Sequence, residues 1–346
     1  MNIDSIVGGF ITQQLSDILP MPSSLATLLS TSSLRLFDAS MIIEDSLKPL
    51  APAKEARVKQ PLEQFDQTFV IDAIIDQVKD EGLAPHFHNM IGLFGSIMMS
   101  LTATPSQLKQ VEDWVDKGIF GHFLMTDKGG PSLANWRTQV SEQEGKWLLA
   151  VDKIHGIEAQ NLGFAMVVAR QAGKPFPVTI MLPPEVCSQL NQRAVGESFV
   201  DGALQLGNCS GRVEVDPSMM LSGGGLGSVN RFLTMVRPRF VKSLMHFLLW
   251  LKNNKELTLD LADFENIEYI IAICNEQIAA TEFSMHSVNR VLATKFASNE
   301  LLASLVLNGK VSSAARQRDL LAFSKMEGSS YRCFFEIYSK TKGLRL

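Results

Sequence analysis

With 346 residues the chain is long for one compact core, and two or three domains are expected. Its 46% hydrophobic and 20% charged residues match an ordinary globular protein, and 36 acidic against 32 basic side chains leave a formal charge of -4. That near balance speaks against nucleic acid as the main partner, because phosphate binding leaves a basic excess.

The opening MNIDSIVGGFITQQL has no basic n-region and no small-residue cleavage signal, so no secretory leader is expected. The first thirty-odd residues are rich in Ser and Thr and give weak helical signals. Lys48 to Pro61 (KPLAPAKEARVKQP), with three prolines and five charges, reads as a linker. Phe69 to Val78 spaces its apolar residues at the helical period, and Phe87 to Leu101 is apolar on nearly every side, as a buried helix is.

From about Gly121 to Gly225 the texture changes. Trp147 to Val151, Phe164 to Val168, Val178 to Met181 and Gly211 to Val215 are short runs between Gly, Pro, Asn and Asp, several of them alternating as half-buried strands do. After Ser228 helices return: Phe240 to Lys252, Phe264 to Ala280, Met285 to Leu307 and Ala314 to Phe323, with Asp263 and Ser284 as N-cap candidates. The expected order is a helical domain (1–120), a β domain (121–227) and a helical bundle (228–346). The most apolar run, Leu244 to Leu251, is too short to span a bilayer. Four scattered cysteines without a CxxC pair point to a reducing compartment and buried thiols. A soluble cytoplasmic protein is expected.

Few residues advertise chemistry by themselves. His86 and His88 form an HxH, but on a helix the two rings diverge, so a metal site is not expected there. The SGGGLG run from Ser222 to Gly227 reads more readily as a domain junction than as a phosphate loop. Glu327, in MEGSS just after a helix, is more telling. Beside Gly328 the chain can turn, and a poorly solvated carboxylate there would have a raised pKa.

Several segments, in order, give the chain a resemblance to the acyl-CoA dehydrogenase family. Leu108 to Thr138 resembles the family stretch leading into its flavin loop, and Gly145 to Arg170 resembles the strands that follow. Val213 to Gly227 resembles the exit from the β domain. Arg318-Asp319 followed by Glu327-Gly328-Ser329 matches "RD…EGT", with the same nine-residue separation of Arg from Glu.

The resemblance implies an N-terminal α-helical domain, a middle β-barrel or sandwich domain and a C-terminal four-helix bundle, with FAD as cofactor. It implies that Glu327 is the base taking the α-proton of an acyl thioester while hydride passes to the flavin, and that Arg237 steadies the base or the acyl group. By the same carry-over Phe123, Met125, Thr126 and Ser132, then His155, Ile157, Lys255 and Ser329, fall at flavin-binding positions. Ile157 and Lys255 depart from the family's Thr and Arg: isoleucine donates no hydrogen bond, and lysine lacks the bidentate fork. Of the family's element that receives a neighbouring subunit's FAD, only Asn308-Gly309 remains.

The implied partners are an acyl thioester, either acyl-CoA or an acyl carrier protein, an electron-transfer flavoprotein, and further subunits in a homo- or hetero-oligomer, with a place in lipid metabolism. The second reading is a degenerate, non-catalytic relative that binds an acyl group or a partner. A flavin enzyme of another reaction type ranks last because the glutamate is kept.

Overall fold

The computed structural model describes residues 3–31, 68–119, 121–130, 132–221, 223, 225–280 and 282–341. The Lys48 to Pro61 linker lies outside them, as do Ser222 and Gly224 of the glycine run. The described residues cluster into two compact units. Unit one holds 3–31, 75–83 and 233–341; unit two holds 68–74 and 84–232.

Unit one is helical. It contains α1 (Ile3–Ser16), α2 (Ser23–Ser30), the end of α3 (Thr68–Glu81), most of α7 (Leu226–Asn253), α8 (Leu261–Ala279), α9 (Met285–Leu307), α10 (Ala314–Phe323) and α11 (Ser330–Thr341). The hub is α9, against which α1, α2, α8, α10 and α11 all pack. It can serve so many neighbours because nearly every residue from Val291 to Val306 is buried. The weakly signalled α1 and α2 are fixed here by tertiary contacts: Ser24 donates to Asn266 Oδ1 at 2.7 Å, and Tyr269 donates to the carbonyl of Leu19 at 3.0 Å.

Two sequence expectations need correction in this unit. Asp263 is not the N-cap of α8. The cap is Asp260, which accepts the Asp263 N–H at 2.9 Å, while Asp263 accepts the Asp260 N–H at 3.1 Å; this reciprocal box starts the helix at Leu261. Pro238 does not delay α7 to Phe240. The helix runs through it from Leu226, its lost hydrogen bond offset by the burial of Val229, Phe232, Leu233, Val236 and Phe240. Ser284 does cap α9, accepting the Ser287 N–H at 3.2 Å.

Unit two joins α4 (Phe87–Thr102) and α5 (Pro105–Asp116) to a seven-stranded mixed sheet, β1 (Gly121–Leu124), β2 (Gln139–Gln143), β3 (Lys146–Ile157), β4 (Phe164–Gln171), β5 (Pro177–Leu182), β6 (Asn191–Phe199) and β7 (Leu204–Val215), with the short α6 (Pro184–Cys187) between β5 and β6. The strand order is β1-β4-β2-β3-β7-β6, with β5 on β4. Leu124, Val140, Leu149, Val151, Val167 and Ile180 belong to its buried core. Helix α4 packs on β1 at backbone distance: a Cβ on Gly95 would lie 2.8 Å from the Gly121 carbonyl oxygen, so only glycine fits.

Candidate functional site

The sequence-predicted residues fall into a group in each unit. In unit one Glu327 sits in the turn between α10 and α11, with φ 56°, and Gly328 follows at φ 115°. A left-handed glutamate costs about 1–2 kcal/mol, so its surroundings must hold it. They do so through both carbonyls of the turn. Arg237 on α7, itself buried, donates from Nε to the Glu327 carbonyl at 2.9 Å. Asn299 on α9 donates from Nδ2 to the Gly328 carbonyl at 3.0 Å.

Glu327 as a whole is half-buried. Desolvation pushes its carboxyl up from 4.5, while the positive charges of Arg237 and then Lys295 pull it back. A carboxylate lifted in this way is a better proton acceptor than a free one. Next to it, burial raises the Cys333 thiol to about 11, so it stays protonated at neutral pH. Ser329 is already in use: its hydroxyl accepts the Arg332 N–H at 3.3 Å and caps α11.

Lys255 is not brought to this turn. The far end of α7 at Asn253 is about 24 Å along the helix from Arg237. Beyond it, the Lys255 N–H bonds to the Lys252 carbonyl and the Glu256 N–H to that of Leu251, closing a Schellman turn with Lys255, exposed at φ 62°, in the position glycine normally takes. Asn308-Gly309 has the same local explanation. Gly309 at φ 68° bonds to Val306, and Lys310 to Leu305, ending α9.

In unit two Phe123, Met125 and Thr126 run along and just beyond β1. The Ile154 N–H bonds to the Thr126 carbonyl at 3.1 Å, which sets Thr126 beside β3. There β3 bulges: its register shifts between Lys153 and Gly156, and His155 stands at φ 54° with its N–H on Asn208 Oδ1 at 3.0 Å. The structure thus brings Thr126 and His155 together on adjoining segments, both exposed, with Ile157 two residues further along β3. Phe123 is half-buried and packs against Phe232, ring centroids 4.5 Å apart and planes tilted by 50°. Ser132 lies apart, exposed, at the start of a short 3-10 turn.

A buried ion pair underlies this group, and sequence reasoning missed it. The Lys153 ammonium donates to the Met125 carbonyl at 2.9 Å, lies 3.5 Å from Asp127 Oδ2 and sits over the Trp136 ring. Asp127 also accepts the N–H groups of Gly129, Arg137 and Thr138. Burial would raise Asp127, but these donors outweigh it and hold the carboxyl below its usual value. Burial lowers Lys153 to about 8. The available signal was Lys153 falling on the same alternating face of β3 as the apolar Leu149 and Val151. Lys295, alone among Ala293, Phe296 and Ala297, gave the same kind of hint in α9.

Among the described residues there is no cluster of three or more His, Cys, Asp or Glu able to hold a metal, and all four cysteines are free and buried. His86 is the N-cap residue of α4 and His88 lies in its first turn. No described helix is long and apolar enough to cross a membrane.

No protein-family model matches the sequence, and no curated protein matches it either. Solved structures do match. A glutaryl-CoA dehydrogenase from Mycobacterium smegmatis is 12% identical with a TM-score of 0.64, covering 100% of this chain and 96% of its own. A glutaryl-CoA dehydrogenase from the same organism in complex with FADH2 is 12% identical at 0.60, covering 99% of this chain and 95% of its own. The prolyl acyl carrier protein oxidase AnaB is 12% identical at a TM-score of 0.62, with 100% of both chains covered. Nitroalkane oxidase is 9% identical at 0.63, covering 99% of this chain and 95% of its own. At such identities the likeness establishes the fold, which is that of the acyl-CoA dehydrogenases.

Proposed function

We propose that this chain is a flavin-dependent dehydrogenase of acyl thioesters, with Glu327 as the base that removes the α-proton. The observation that carries the reading is the Glu327–Gly328 turn. A strained glutamate has its own carbonyl and that of the following glycine held by side chains from other helices, and its carboxyl is raised by burial. A surface loop glutamate needs none of this.

The cofactor on this reading is FAD, which would supply the acceptor for the β-hydride. The residues of unit two fit a flavin in part. The Thr126 hydroxyl has no hydrogen-bond partner among the described residues and is free to donate or accept. His155 is fixed beside it by the Asn208 bond. The Ile157 side chain offers no donor, so a flavin there would be held by fewer hydrogen bonds than the family uses. On the family pattern Phe123 and Met125 would add contacts beside Thr126, whereas Ser132 lies apart on its 3-10 turn, Ser329 is engaged in capping α11, and Lys255, at the end of α7 in the helical unit, would offer charge alone.

The chain's own part in the chemistry is proton transfer. Arg237 and Asn299 hold the turn, Glu327 accepts the α-proton at its carboxylate, and the thioester carbonyl must meet hydrogen-bond donors as negative charge develops on it. The likeness to a carrier-protein oxidase supports testing carrier-bound as well as coenzyme A thioesters. The three-domain division, an oligomeric assembly and an electron-transfer flavoprotein as acceptor belong to the same reading.

The test is the visible spectrum of the purified protein before and after incubation with FAD and desalting, followed by bleaching with acyl thioesters. Retained flavin that bleaches in wild type and not in Glu327→Gln supports the reading. A protein that stays colourless overturns it in favour of a non-catalytic acyl- or partner-binding relative, which Ile157 and the replaced arginine at Lys255 favour.

A further inference from the structure

We infer that Lys295 is a positioning residue for Glu327: through Asn299 its ammonium holds the Glu327–Gly328 turn, and its buried charge is coupled to the Glu327 carboxyl. This rests on the reading of Glu327 as the base.

Lys295 is fully buried in the middle of α9. A lysine there is costly to keep and has no packing advantage over methionine, so its ammonium needs partners. Two are hydrogen-bond acceptors: Asn299 Oδ1 at 2.5 Å and the Phe323 carbonyl, at the end of α10, at 3.0 Å. The Phe240 ring on α7 lies 5.4 Å away. Asn299 uses its oxygen for Lys295 and its Nδ2 for the Gly328 carbonyl, so the ammonium, the amide and the turn form one chain of hydrogen bonds. The bond from Lys295 fixes which way the amide points, and that orientation lets Asn299 donate to the turn.

The electrostatics run the same way. The ionisable groups acting on Lys295 are Cys333 on α11, Glu327 in the turn, Arg237 on α7 and Lys325 just before the turn. Burial dominates and lowers Lys295 to about 7, with Cys333 and Glu327 raising it and the two cations lowering it. In return, Arg237 and Lys295 are the charges that oppose the burial of Glu327. The pair is therefore linked: when Lys295 loses its proton, ionised Glu327 loses one of its two counter-charges and its proton affinity rises.

The experiment is a pH titration of the carboxyl resonances of the purified protein labelled with [13C]Glu, with the Glu327 signal assigned from Glu327→Gln. In wild type the Glu327 resonance is expected to move in two steps, its own ionisation and a smaller one near pH 7. In Lys295→Met the second step vanishes and the first moves up by about one pH unit, a tenfold change in proton affinity. A single step in wild type overturns the inference, as does a Lys295→Met titration identical to wild type. The wild-type result stands even if the variant does not fold. A purely structural lysine would change melting temperature and leave the titration of Glu327 in place. Failure of the base reading is separate: it shows as bleaching that survives Glu327→Gln, whatever the titration gives.

Discussion

The Nε of Arg237 donates to the backbone carbonyl of Glu327 at 2.9 Å, across 90 residues of sequence. The arginine thus does two things at once. It fixes the backbone of the turn, and its charge is the largest influence opposing the desolvation of the carboxyl. Replacing it with methionine removes both. Arg237→Met is expected to lose about 1.5–3 kcal/mol of stability in urea unfolding, the range for a hydrogen bond from a charged donor. It should also move the acid limb of thioester bleaching to higher pH.

The raised pKa of Glu327 has a stability signature of its own. Folded protein holds this proton more tightly than unfolded protein, so the group favours folding below the unfolded value near 4.5. That contribution is lost as pH rises through the folded value. Glu327→Gln removes the titration. Its stability relative to wild type should therefore grow as pH rises from 4 towards neutrality, measured by urea midpoints. Equal midpoint differences at both ends would show that the carboxyl is well solvated.

In turnover, Glu327→Gln should keep any bound flavin and lower the rate of acyl-thioester bleaching at least ~100-fold, the lower end of what a positioned general base contributes. Stopped-flow absorbance measures this directly. A rate within a few-fold of wild type would remove Glu327 from the chemistry.

Beneath Thr126, the Asp127–Lys153 pair has both side chains almost wholly out of solvent. Removing one partner leaves the other charge buried, together with the N–H groups of Gly129, Arg137 and Thr138. Asp127→Ala is expected to cost about 3–5 kcal/mol by denaturant unfolding. Lys153→Met leaves those three N–H bonds in place and should cost less.

Lys255 occupies the glycine position of a helix-ending turn at φ 62°. Lys255→Gly should stabilise the protein by about 1 kcal/mol by relieving that backbone. If Lys255 contacts the FAD diphosphate, the same change weakens FAD binding, read by fluorescence titration. A gain in stability with unchanged FAD affinity would make the lysine a neutral helix end.

The sequence by itself determined the elements whose signals are local. Met285–Leu307 and Ala314–Phe323 match the helices of the structure, and Ser284 caps where its side chain suggested, because capping and periodicity act over a few residues. The turn at Glu327 was also legible, from Gly328 following a predicted helix. What only the tertiary structure decided depends on distant partners. β6 (Asn191–Phe199) is polar enough to pass for a loop and is a strand because β7 supplies its hydrogen bonds. The run of α7 through Pro238 rests on burial that no local preference reports. Lys295 and Asn299 lie about thirty residues before Glu327, and nothing in their own helix marks them as its neighbours. A buried charge is tolerated only where the fold brings it acceptors, so its meaning appears when the Phe323 carbonyl and the Glu327–Gly328 turn close over it.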